Sequence, residues 1–569
     1  MKLRIERAEA HVLANEFPEL ASLVDQLRFG AHAEVRLQQL APTALDRLGA
    51  LWDGTGEKGR RRSSQLRSLC SVLSAPDAGC FSSDELEKVV PAFVRHVSTG
   101  AQRGWLFTVD TDSHPLAWCP TRIDYMPASN DETGKVFIEL KANARAGVIT
   151  QALRLTATEI EGRSIAQMLL ARGLVRETPA LMEAYGQTVE RYFDWRAQTG
   201  TQFEGRGTGY FAEDPRATHR DSDWLRKDVV ILSAQGVAAR LVNDEGVLQQ
   251  RNPSLEATGE ILSNYLSKAA RSSHYDAEEE VRALHAVLHA DQPGLFRHLP
   301  VHPLILMFHL DLHHHVWVHA DDLALYAYQP ALRHKLVLPP EHTDLIDILT
   351  AEMDVLMDDI VAGKSGGTTV LCAGPPGVGK TLTAEVYAEI VRRPLYRVHS
   401  GQLGLNVTAM ETALKDVLLR AQRWGAVMLI DEADVYIKRR DDNLTMNAVV
   451  GVFLRVLEYF NGLLFLTTNR VDDIDEAIVS RCIALLRYPP PDQGGRQRIW
   501  RVMSEQFALG LDDAMLEMLP GLFPEATGRD IKGLTKLVAK YCRHKEVGAT
   551  REVFLRCATF RGLDPALAA

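Results

Sequence analysis

The chain has 569 residues, of which 46% are hydrophobic and 24% are charged, and its formal net charge is −10. This length and composition fit two to four globular domains. No apolar stretch reaches the roughly 20 residues that cross a bilayer, and the negative charge disfavours bulk electrostatic binding of nucleic acid or an anionic membrane.

Two features of the sequence bear on where the chain works. Its first seven residues interleave charged and apolar side chains and lack the continuous apolar core of a signal peptide, so we expect a cytoplasmic protein that does not act at a membrane. The seven cysteines are scattered without metal-ligand spacing, which favours reduced and mostly buried thiols.

The first 340 residues predict two regions that differ in secondary structure. Apolar residues at helical spacing favour a mainly helical region over residues 1–100, and short β-like runs favour a mixed α/β region over residues 101–340. The glycine-rich loop at 205–209 has no lysine after its last glycine, so it predicts a tight β turn and not a second nucleotide site. The predicted strands lie at 105–109, 136–140, 148–155 and 228–232, and a helical stretch is predicted at 163–197.

Five histidines cluster near the end of this region: His309, His313, His314, His315 and His319. Apolar and polar residues alternate around them, which predicts a β-hairpin with the histidines largely on its solvent-facing side. Neither a cysteine nor a ligand from a third segment is apparent, so the pattern favours this hairpin, which ends the mixed region, over a zinc site.

From residue 341 onward, helical patterns alternate with short apolar strands. This alternation predicts the parallel sheet of an α/β fold over residues 341–490, followed by a helical lid over 491–569. The predicted strands lie at 368–373, 396–399, 426–430, 462–468 and 484–488, and the predicted helices at 345–361, 380–391, 408–423, 444–460, 496–507, 512–519, 529–543 and 550–560.

A complete phosphate-binding loop stands between the strand 368–373 and the helix that follows it. Its glycines leave room for backbone N–H groups to surround phosphates, and the helix directs its positive dipole end at them. Lys380 is suited to reach the terminal phosphates, and the Thr381 hydroxyl to hold a magnesium ion. The loop and the first turn of the helix comprise Gly374, Pro375, Pro376, Gly377, Val378, Gly379, Lys380, Thr381 and Leu382.

Two carboxylates end the apolar run that begins at Val427. Asp431 is suited to hold magnesium directly or through water, and Glu432 to polarise the attacking water as a general base. Together with the phosphate loop, this pair predicts binding of ATP with Mg²⁺, and hydrolysis. Asp434 completes a tetrapeptide that also occurs in a helicase class, but no second recombinase-like domain follows, so we take that match as incidental.

The strand 462–468 delivers Thr467, Thr468 and Asn469 at its carboxyl end, where a polar side chain is able to orient water at the γ-phosphate. Here the chain resembles the AAA+ ATPases, and Asn469 matches their first sensor. The segment 472–481 is similar to their arginine-finger segment, which implies that Arg481 enters the neighbouring subunit's site. Residues 527–531 resemble the second sensor, which implies that Arg529 reaches ATP in its own subunit.

The resemblance covers residues 341–560 and rests on five motifs in the correct order. It implies a P-loop NTPase core with a C-terminal helical lid, preceded here by a mixed α+β N-terminal region. The chain is most similar to an AAA subfamily of fungi and bacteria, on the basis of residues 423–426 before the carboxylate strand and the Leu-Val-Leu-Pro sequence at 336–339.

One departure from threading members of that family concerns the segment after the second strand. Those proteins usually carry an aromatic–aliphatic–glycine pore loop there, whereas residues 400–406 are short and contain no aromatic side chain. This difference argues against processive threading of a peptide. Leu405 remains a candidate for lining a pore, with a buried turn leucine as the alternative.

The leading hypothesis is an ATPase that forms a homo-hexameric ring and remodels a macromolecule, expected to be a protein, which the N-terminal 340 residues recognise. The ring is expected because an arginine finger acts only across a subunit interface. One alternative is an ATP-gated binding or scaffold protein, for example in defence against mobile elements. Another is a nucleic-acid remodelling ATPase, which the net charge of −10 disfavours but does not exclude.

Overall fold

The computed structural model describes most of the chain, and the statements below concern this part. The described residues are 2–28, 32–56, 59–60, 62–63, 66–67, 70, 79–109, 114–129, 132–144, 147–212, 228–234, 237–248, 295–296, 298–351, 367–404, 406–440, 444–458 and 460–566.

The chain divides into two compact units. The first comprises residues 1–199 with 203–324, and the second comprises residues 200–202 with 325–569. The two predicted N-terminal regions thus belong to one unit, and the predicted ATPase core and lid belong to the other. The segment 325–340, which we expected to close the N-terminal half, belongs to the second unit.

The start of the first unit combines helices with a small sheet. Two antiparallel strands, Lys2–Glu6 and His32–Arg36, pair from Lys2 opposite Arg36 to Glu6 opposite His32. Leu3, Ile5 and Trp52 are buried in the core that these strands share with the helices. The prediction of a mainly helical region was therefore incomplete, because it missed both strands. The helices are Arg7–Glu16, Ser22–Gln26, Pro42–Asp53 and Val89–Ser98.

A five-stranded antiparallel sheet follows. Its longest strand, Pro115–Met126, was not predicted from the sequence, and it pairs with its neighbours on both sides. The predicted helical stretch 163–197 is in fact two helices, Ile165–Ala171 and Pro179–Arg196, with the edge strand Leu174–Arg176 between them. In spatial order the strands are Gly147–Thr156, Lys135–Ala144, Pro115–Met126, Leu106–Val109 and Leu174–Arg176.

The histidine-rich segment lies in a second antiparallel sheet. Leu304–His309 and His314–His319 form the predicted hairpin, with Leu304 opposite His319 and His309 opposite His314. The glycine-rich loop at 205–209 bends between two strands that are not neighbours in this sheet. In spatial order the strands are Val229–Ile231, Thr208–Phe211, His314–His319, Leu304–His309, Val237–Asn243, Gln202–Gly205 and Leu323–Leu325, and Ser233–Ala234 pairs with Val237–Asn243.

The prediction that the histidines lie largely on a solvent-facing side was wrong. His309, His315 and His319 are buried, with exposed fractions of 5%, 8% and 3%. Both faces of the hairpin are covered: one face carries Leu304, Leu306 and Trp317 into the core of the five-stranded sheet. Polar and apolar residues alternate along the hairpin because the two faces meet different neighbours, and not because one of them meets water.

The second unit is built on the predicted five-stranded parallel sheet. The phosphate loop follows its fourth strand in spatial order, Thr368–Ala373, which lies between the strands that carry Asn469 and Arg487 at their carboxyl ends. Polar groups that follow these strands therefore gather at one edge of the sheet. In spatial order the strands are Leu395–His399, Val427–Asp431, Leu463–Thr468, Thr368–Ala373 and Ala484–Arg487.

Helices cover this sheet and continue into the lid. Trp500, buried in the lid core, packs against Phe523 and Phe554 at ring-centroid distances of 6.2 and 5.6 Å. No helix among the described residues is long and apolar enough to cross a membrane. The helices are Pro340–Ala351, Lys380–Val391, Ser400–Leu403, Val407–Trp424, Asp434–Ile437, Leu444–Leu457, Glu476–Val479, Gln493–Gln506, Asp513–Leu522, Gly528–Lys545 and Arg551–Thr559. The predicted helix 345–361 is described only to Ala351; its remainder and Leu405 lie outside the described residues.

Candidate nucleotide-binding site

The glycines of the phosphate loop are required by both crowding and backbone conformation. A Cβ atom on Gly374 would lie 2.4 Å from the carbonyl oxygen of Tyr488. Gly377 has a φ of +84°, in the left-handed region, and a Cβ there would lie 2.7 Å from Thr527 Oγ1. The loop therefore fits closely between the sheet and the first turn of the lid helix Gly528–Lys545.

Lys380 opens the helix after the loop and its side chain turns back across the loop. Its Nζ donates to the carbonyl oxygens of Gly374 and Pro375, both at 2.7 Å, and to Asn469 Oδ1 at 3.0 Å. Burial lowers the pKa of this ammonium, while the carboxylates of Asp434 and Asp431 act against that shift. The three acceptors are neutral, so anionic phosphate oxygens would be stronger partners for this buried cation.

Asp431 ends the second strand of the sheet and is held through both oxygens. Its Oδ1 accepts from Thr381 at 2.9 Å and from Thr467 at 2.6 Å, and its Oδ2 accepts from Arg397 at 2.6 Å. Burial would raise the pKa of this carboxyl, but the hydrogen bonds from Thr467 and Thr381 and the Arg397 guanidinium outweigh burial and lower it. Asp431 is therefore ionised and fixed beside Thr381.

Glu432, the predicted general base, is exposed next to this buried carboxylate. Its backbone adopts a φ of +55°, and its N–H donates to Thr467 Oγ1 at 3.0 Å. Thr467 thus donates to Asp431 and accepts from Glu432, so one hydroxyl fixes the relative positions of the two carboxylates. Glu432 thus follows a strand whose residues are all buried, and the turn there leaves its charged side chain exposed.

Asp434 has a structural role in this domain that the sequence did not reveal. Its Oδ1 accepts from the Thr468 hydroxyl and, at 3.1 Å, from the backbone N–H of Asn469. The carboxylate therefore fixes the end of the strand Leu463–Thr468, where the predicted first sensor begins. Asn469 in turn contacts Lys380, so the structure brings the predicted sensor to the phosphate loop as expected.

The lid contributes the start of its helix Gly528–Lys545. Thr527 caps this helix by accepting from the backbone N–H of Asp530. The backbone N–H of Arg529 donates to the carbonyl oxygen of Gly377 at 3.1 Å, and the arginine side chain is exposed. The backbone of Arg529 is thus anchored at the loop of its own chain, and the role of its side chain toward ATP stays a prediction.

Arg481 lies apart from this network. Its side chain donates to the Glu458 carboxylate and, at 3.2 Å, to the carbonyl oxygen of Ala477. Glu458 follows the helix Leu444–Leu457, and Arg481 follows the short helix Glu476–Val479. The structure therefore separates the predicted finger from the residues that meet at the loop.

The segment after the strand Leu395–His399 is a short helix, Ser400–Leu403, and the Tyr436 side chain holds it in place. The buried Tyr436 hydroxyl lies 2.6 Å from the carbonyl oxygen of Ser400 and 3.0 Å from that of Gly404. Asn406 then caps the helix Val407–Trp424 by accepting from the backbone N–H of Ala409 at 3.1 Å. Tyr436 lies two residues after Asp434, so this segment is linked directly to the carboxylate motif.

Two residues at the site were missed by the sequence analysis. Arg397 lies inside a predicted strand and was assigned no role, although its pairing opposite Leu429 places it diagonally beside Asp431. Tyr488 packs under the loop, where its hydroxyl contacts Thr383 Oγ1 at 3.0 Å. A polar residue two positions before the end of a buried parallel strand was the only available signal for Arg397.

The buried histidines form a separate network in the first unit. His114 approaches Asp322 with Nε2 2.7 Å from Oδ2, and its ring stacks on His319 at 4.0 Å with an interplanar angle of 10°. One potential ligand atom from each of His114, His319 and Asp321 lies within 4.8 Å of the others. His114 thus supplies the third-segment neighbour that we did not find in the sequence.

Hydrogen bonds engage part of this group, and the buried His319 Nε2 has no hydrogen-bond partner among the described residues. Stacked, nearly parallel rings direct their in-plane lone pairs side by side, whereas ligands of one ion must converge. His319 Nδ1 accepts from the backbone N–H of Asp321 at 3.3 Å, so in the neutral ring Nε2 carries the proton. Arg191 also lies 2.6 Å from Asp321 Oδ1 and compensates its charge.

The donor set at the phosphate loop fits ATP with magnesium. Thr381 and Asp431 supply the hard oxygen ligands that Mg²⁺ prefers. The loop supplies backbone N–H groups at a helix N-terminus, and Lys380 supplies the buried cation. Every residue that we predicted for nucleotide and metal lies at this edge of the sheet, and Arg481 is the one candidate that lies elsewhere among the described residues.

Comparison with known proteins agrees with this geometry. Residues 370–489 match the sequence profile described as "ATPase family associated with various cellular activities (AAA)". The human "Peroxisomal ATPase PEX1" is 33% identical over 177 residues, which cover 29% of this chain and 14% of that protein. The "26S proteasome regulatory subunit 8 homolog" of Encephalitozoon cuniculi is 25% identical over 358 residues, which cover 58% of this chain and 83% of that protein.

Among solved structures, a chain of the "Structure of E. coli MS115-1 HORMA:CdnC:Trip13 complex" is similar at 19% identity with a TM-score of 0.34. The similarity covers 43% of this chain and 95% of that one. This chain spans only 14% of the length of human PEX1.

Proposed function

We propose that this chain hydrolyses ATP with Mg²⁺ as a ring-forming remodelling enzyme, because residues 370–489 match the profile of the AAA ATPase family. In the ring, Arg481 of one copy completes the site of its neighbour. The first unit recognises the partner that the ring acts on, and this partner is a protein.

The proposed chemistry follows from the residues at the loop. Lys380 and Arg529 bind the terminal phosphates, and Asn469 and Glu432 orient and polarise the attacking water. Thr381 and Asp431 hold magnesium, which when bound neutralises charge on the phosphates. Burial of Lys380 and Asp431 strengthens these interactions, because charges interact more strongly away from bulk water.

The ring is supported by one observation above all. At the phosphate loop Lys380 is hydrogen-bonded to Asn469, and Thr381 to Asp431, whereas Arg481 is exposed and paired with Glu458. An arginine placed there is suited to serve a second copy of the chain and not its own loop. The relative named as a proteasome regulatory subunit homolog supports a protein partner, and the net charge of −10 supports a protein over nucleic acid.

Removing divalent metal tests the chemical part of this proposal. We expect phosphate release from ATP to stop when the purified chain is treated with EDTA and to return when excess Mg²⁺ is added, because Thr381 and Asp431 are magnesium ligands. Zn²⁺ chelation with a zinc-selective reagent serves as the control and should leave the rate unchanged. Steady turnover in EDTA would contradict the proposal.

Trapping tests the partner class. The Glu432→Gln chain, loaded with ATP, should retain partners that the wild-type chain releases, and Lys380→Ala serves as the matched negative control because it should not bind ATP. Retained proteins whose capture depends on ATP support the proposal. Retention of nucleic acid alone, lost as salt is raised, would replace it with the nucleic-acid remodelling alternative.

A further inference from the structure

Arg397 introduces a permanent cation into the proposed magnesium site. It lies on the strand Leu395–His399, opposite Leu429 and diagonal to Asp431 on the neighbouring parallel strand. Its Nη2 donates to Asp431 Oδ2 at 2.6 Å, which is short even for a charge-assisted hydrogen bond. An arginine stays charged at any pH in which a protein is folded, so this contact does not switch off by titration.

Both oxygens of the Asp431 carboxylate have hydrogen-bond partners, so a metal ion would have to compete with them. Asp431 Oδ1 already accepts from Thr381 and Thr467. Oδ2 is therefore the oxygen that Arg397 neutralises. A second cation that draws on this carboxylate must share it with the guanidinium or displace it, because two positive charges around one carboxylate repel each other.

Arg397 has a second carboxylate, Glu385, within reach of its guanidinium group. Its Nη1 lies 3.5 Å from Glu385 Oε1, a weak contact on the helix Lys380–Val391, and its side chain is 40% exposed. Its Nε has no hydrogen-bond partner among the described residues. Asp431, by contrast, is buried and fixed by two hydroxyls, so the arginine is the partner that is able to move.

We propose that Arg397 and Mg²⁺ are alternative counter-cations for Asp431, so that Arg397 sets how much the nucleotide site depends on metal. Without the arginine, the buried carboxylate would repel nucleotide phosphates unless a metal neutralised it. With the arginine, the charge is compensated within the chain, and the metal gains less by binding. Arg397 is thus a positioning residue for Asp431 that lowers the coupling between metal and nucleotide.

This inference rests on the proposed function for one point, namely that nucleotide binds at the phosphate loop with Mg²⁺. The test measures binding and not turnover: fluorescence titration of the full chain with N-methylanthraniloyl-ADP, in EDTA and across a range of Mg²⁺ concentrations. The ratio of the Kd in EDTA to the Kd in saturating Mg²⁺ gives the coupling directly.

For Arg397→Met we expect this ratio to rise by about tenfold, since a charge-assisted hydrogen bond to a partly buried carboxylate typically contributes that much. The Mg²⁺ concentration for half-maximal effect should fall by a similar factor. Arg397→Lys, which keeps the charge but not the planar fork, should give an intermediate ratio. A purely structural role would not move the magnesium midpoint in this graded way.

Arg420→Met is the matched control. Arg420 contacts the hydroxyl of Tyr396, the residue before Arg397, at 2.8 Å. Adjacent residues of a strand point to opposite faces, so Arg420 is anchored away from Asp431. Its ratio should equal that of wild type.

The outcomes separate the two proposals. If wild-type chain does not bind the fluorescent nucleotide under any condition, the proposed function fails. If it binds but Arg397→Met and wild type give the same ratio and the same magnesium midpoint, the role of Arg397 is wrong while the proposed function stands. A ratio that falls in Arg397→Met would likewise overturn the inference, because it would mean that the arginine assists metal binding.

Discussion

Arg481→Ala is expected to bind ATP nearly as well as wild type and to hydrolyse it about 10³–10⁵-fold more slowly. An arginine supplied across an interface stabilises charge on the transferring phosphoryl group, and its loss typically costs this much in rate. Binding should survive because Arg481 contacts Glu458 and the Ala477 carbonyl in its own chain, and not the phosphate loop. Phosphate release and equilibrium nucleotide binding, measured on the same sample, check the two halves of this expectation.

Mixing experiments show whether the arginine acts across an interface. Arg481→Ala supplies an intact phosphate loop and Lys380→Ala supplies an intact arginine, so a mixture of the two inactive chains should recover part of the activity. Arg501→Ala is the control, because Arg501 is an exposed lid arginine paired with Asp513 at 3.1 Å. A monomeric protein with undiminished turnover in Arg481→Ala would overturn the ring.

Glu432→Gln is expected to retain ATP binding and to slow hydrolysis by about 10²–10⁴-fold, the usual contribution of a general base. The glutamine has the same shape, and the backbone bond from residue 432 to Thr467 Oγ1 does not involve the side chain. The carboxylate arrangement should therefore remain intact. Lys380→Ala should behave in the opposite way and lose ATP binding, because it removes the buried cation of the loop.

Comparing these two variants separates binding from chemistry. Isothermal titration with ATP should give a wild-type-like Kd for Glu432→Gln and no measurable heat for Lys380→Ala, while both show little turnover. Glu517→Gln, which changes an exposed carboxylate on the lid helix Asp513–Leu522, should be wild type in both assays. Equal loss of affinity in Glu432→Gln and Lys380→Ala would show that the two residues do not have separate roles.

The fold of the second unit was predictable because its strands and motifs are recognisable from residues that are neighbours in the sequence. The three central strands, Thr368–Ala373, Val427–Asp431 and Leu463–Thr468, are short and almost entirely buried runs, and the residues predicted for nucleotide and magnesium lie at or shortly after their ends. The expectation of an AAA+ ATPase core, which rested on these motifs, agrees with the match of residues 370–489 to the AAA family profile. The contact of Arg397 was not predictable, because it depends on the register between two strands that are 27 residues apart in sequence.

The first unit was harder to predict because strands in its sheets are buried on both faces, so their sequences do not alternate between apolar core residues and polar surface residues. The strand Pro115–Met126 contains two prolines and a nearly continuous run of buried residues, so it shows neither alternation nor the usual absence of proline. The hairpin at 304–319 was found, but its histidines were placed in water because polar side chains usually face solvent. The stacking partner of His319, His114, and the hydrogen-bond partner of His315, Asp244, come from distant segments that no local pattern connects to the hairpin.

The buried histidines also give the first unit a dependence on acidity. Burial lowers the pKa of His302 from 6.5 to about 4. Burial, together with repulsion from His114, lowers the pKa of His319 to about 3, against the attraction of Asp321 and Asp322. Well above pH 6.5 both rings are neutral whether the chain is folded or unfolded, so they do not change the free energy of unfolding there. As the pH falls below 6.5, His302 and His319 become protonated in the unfolded chain but stay neutral in the folded unit.

The free energy of unfolding should therefore fall as the pH falls from about 6.5 toward 4, by about 1.4 kcal/mol per pH unit for each histidine. Urea unfolding of the full chain at pH 7 and pH 5 measures this loss, and His319→Gln should reduce its slope. An unfolding free energy that does not change over this range would exclude the effect. Burial of His302 and His319 thus makes the first unit less stable in acid than at neutral pH.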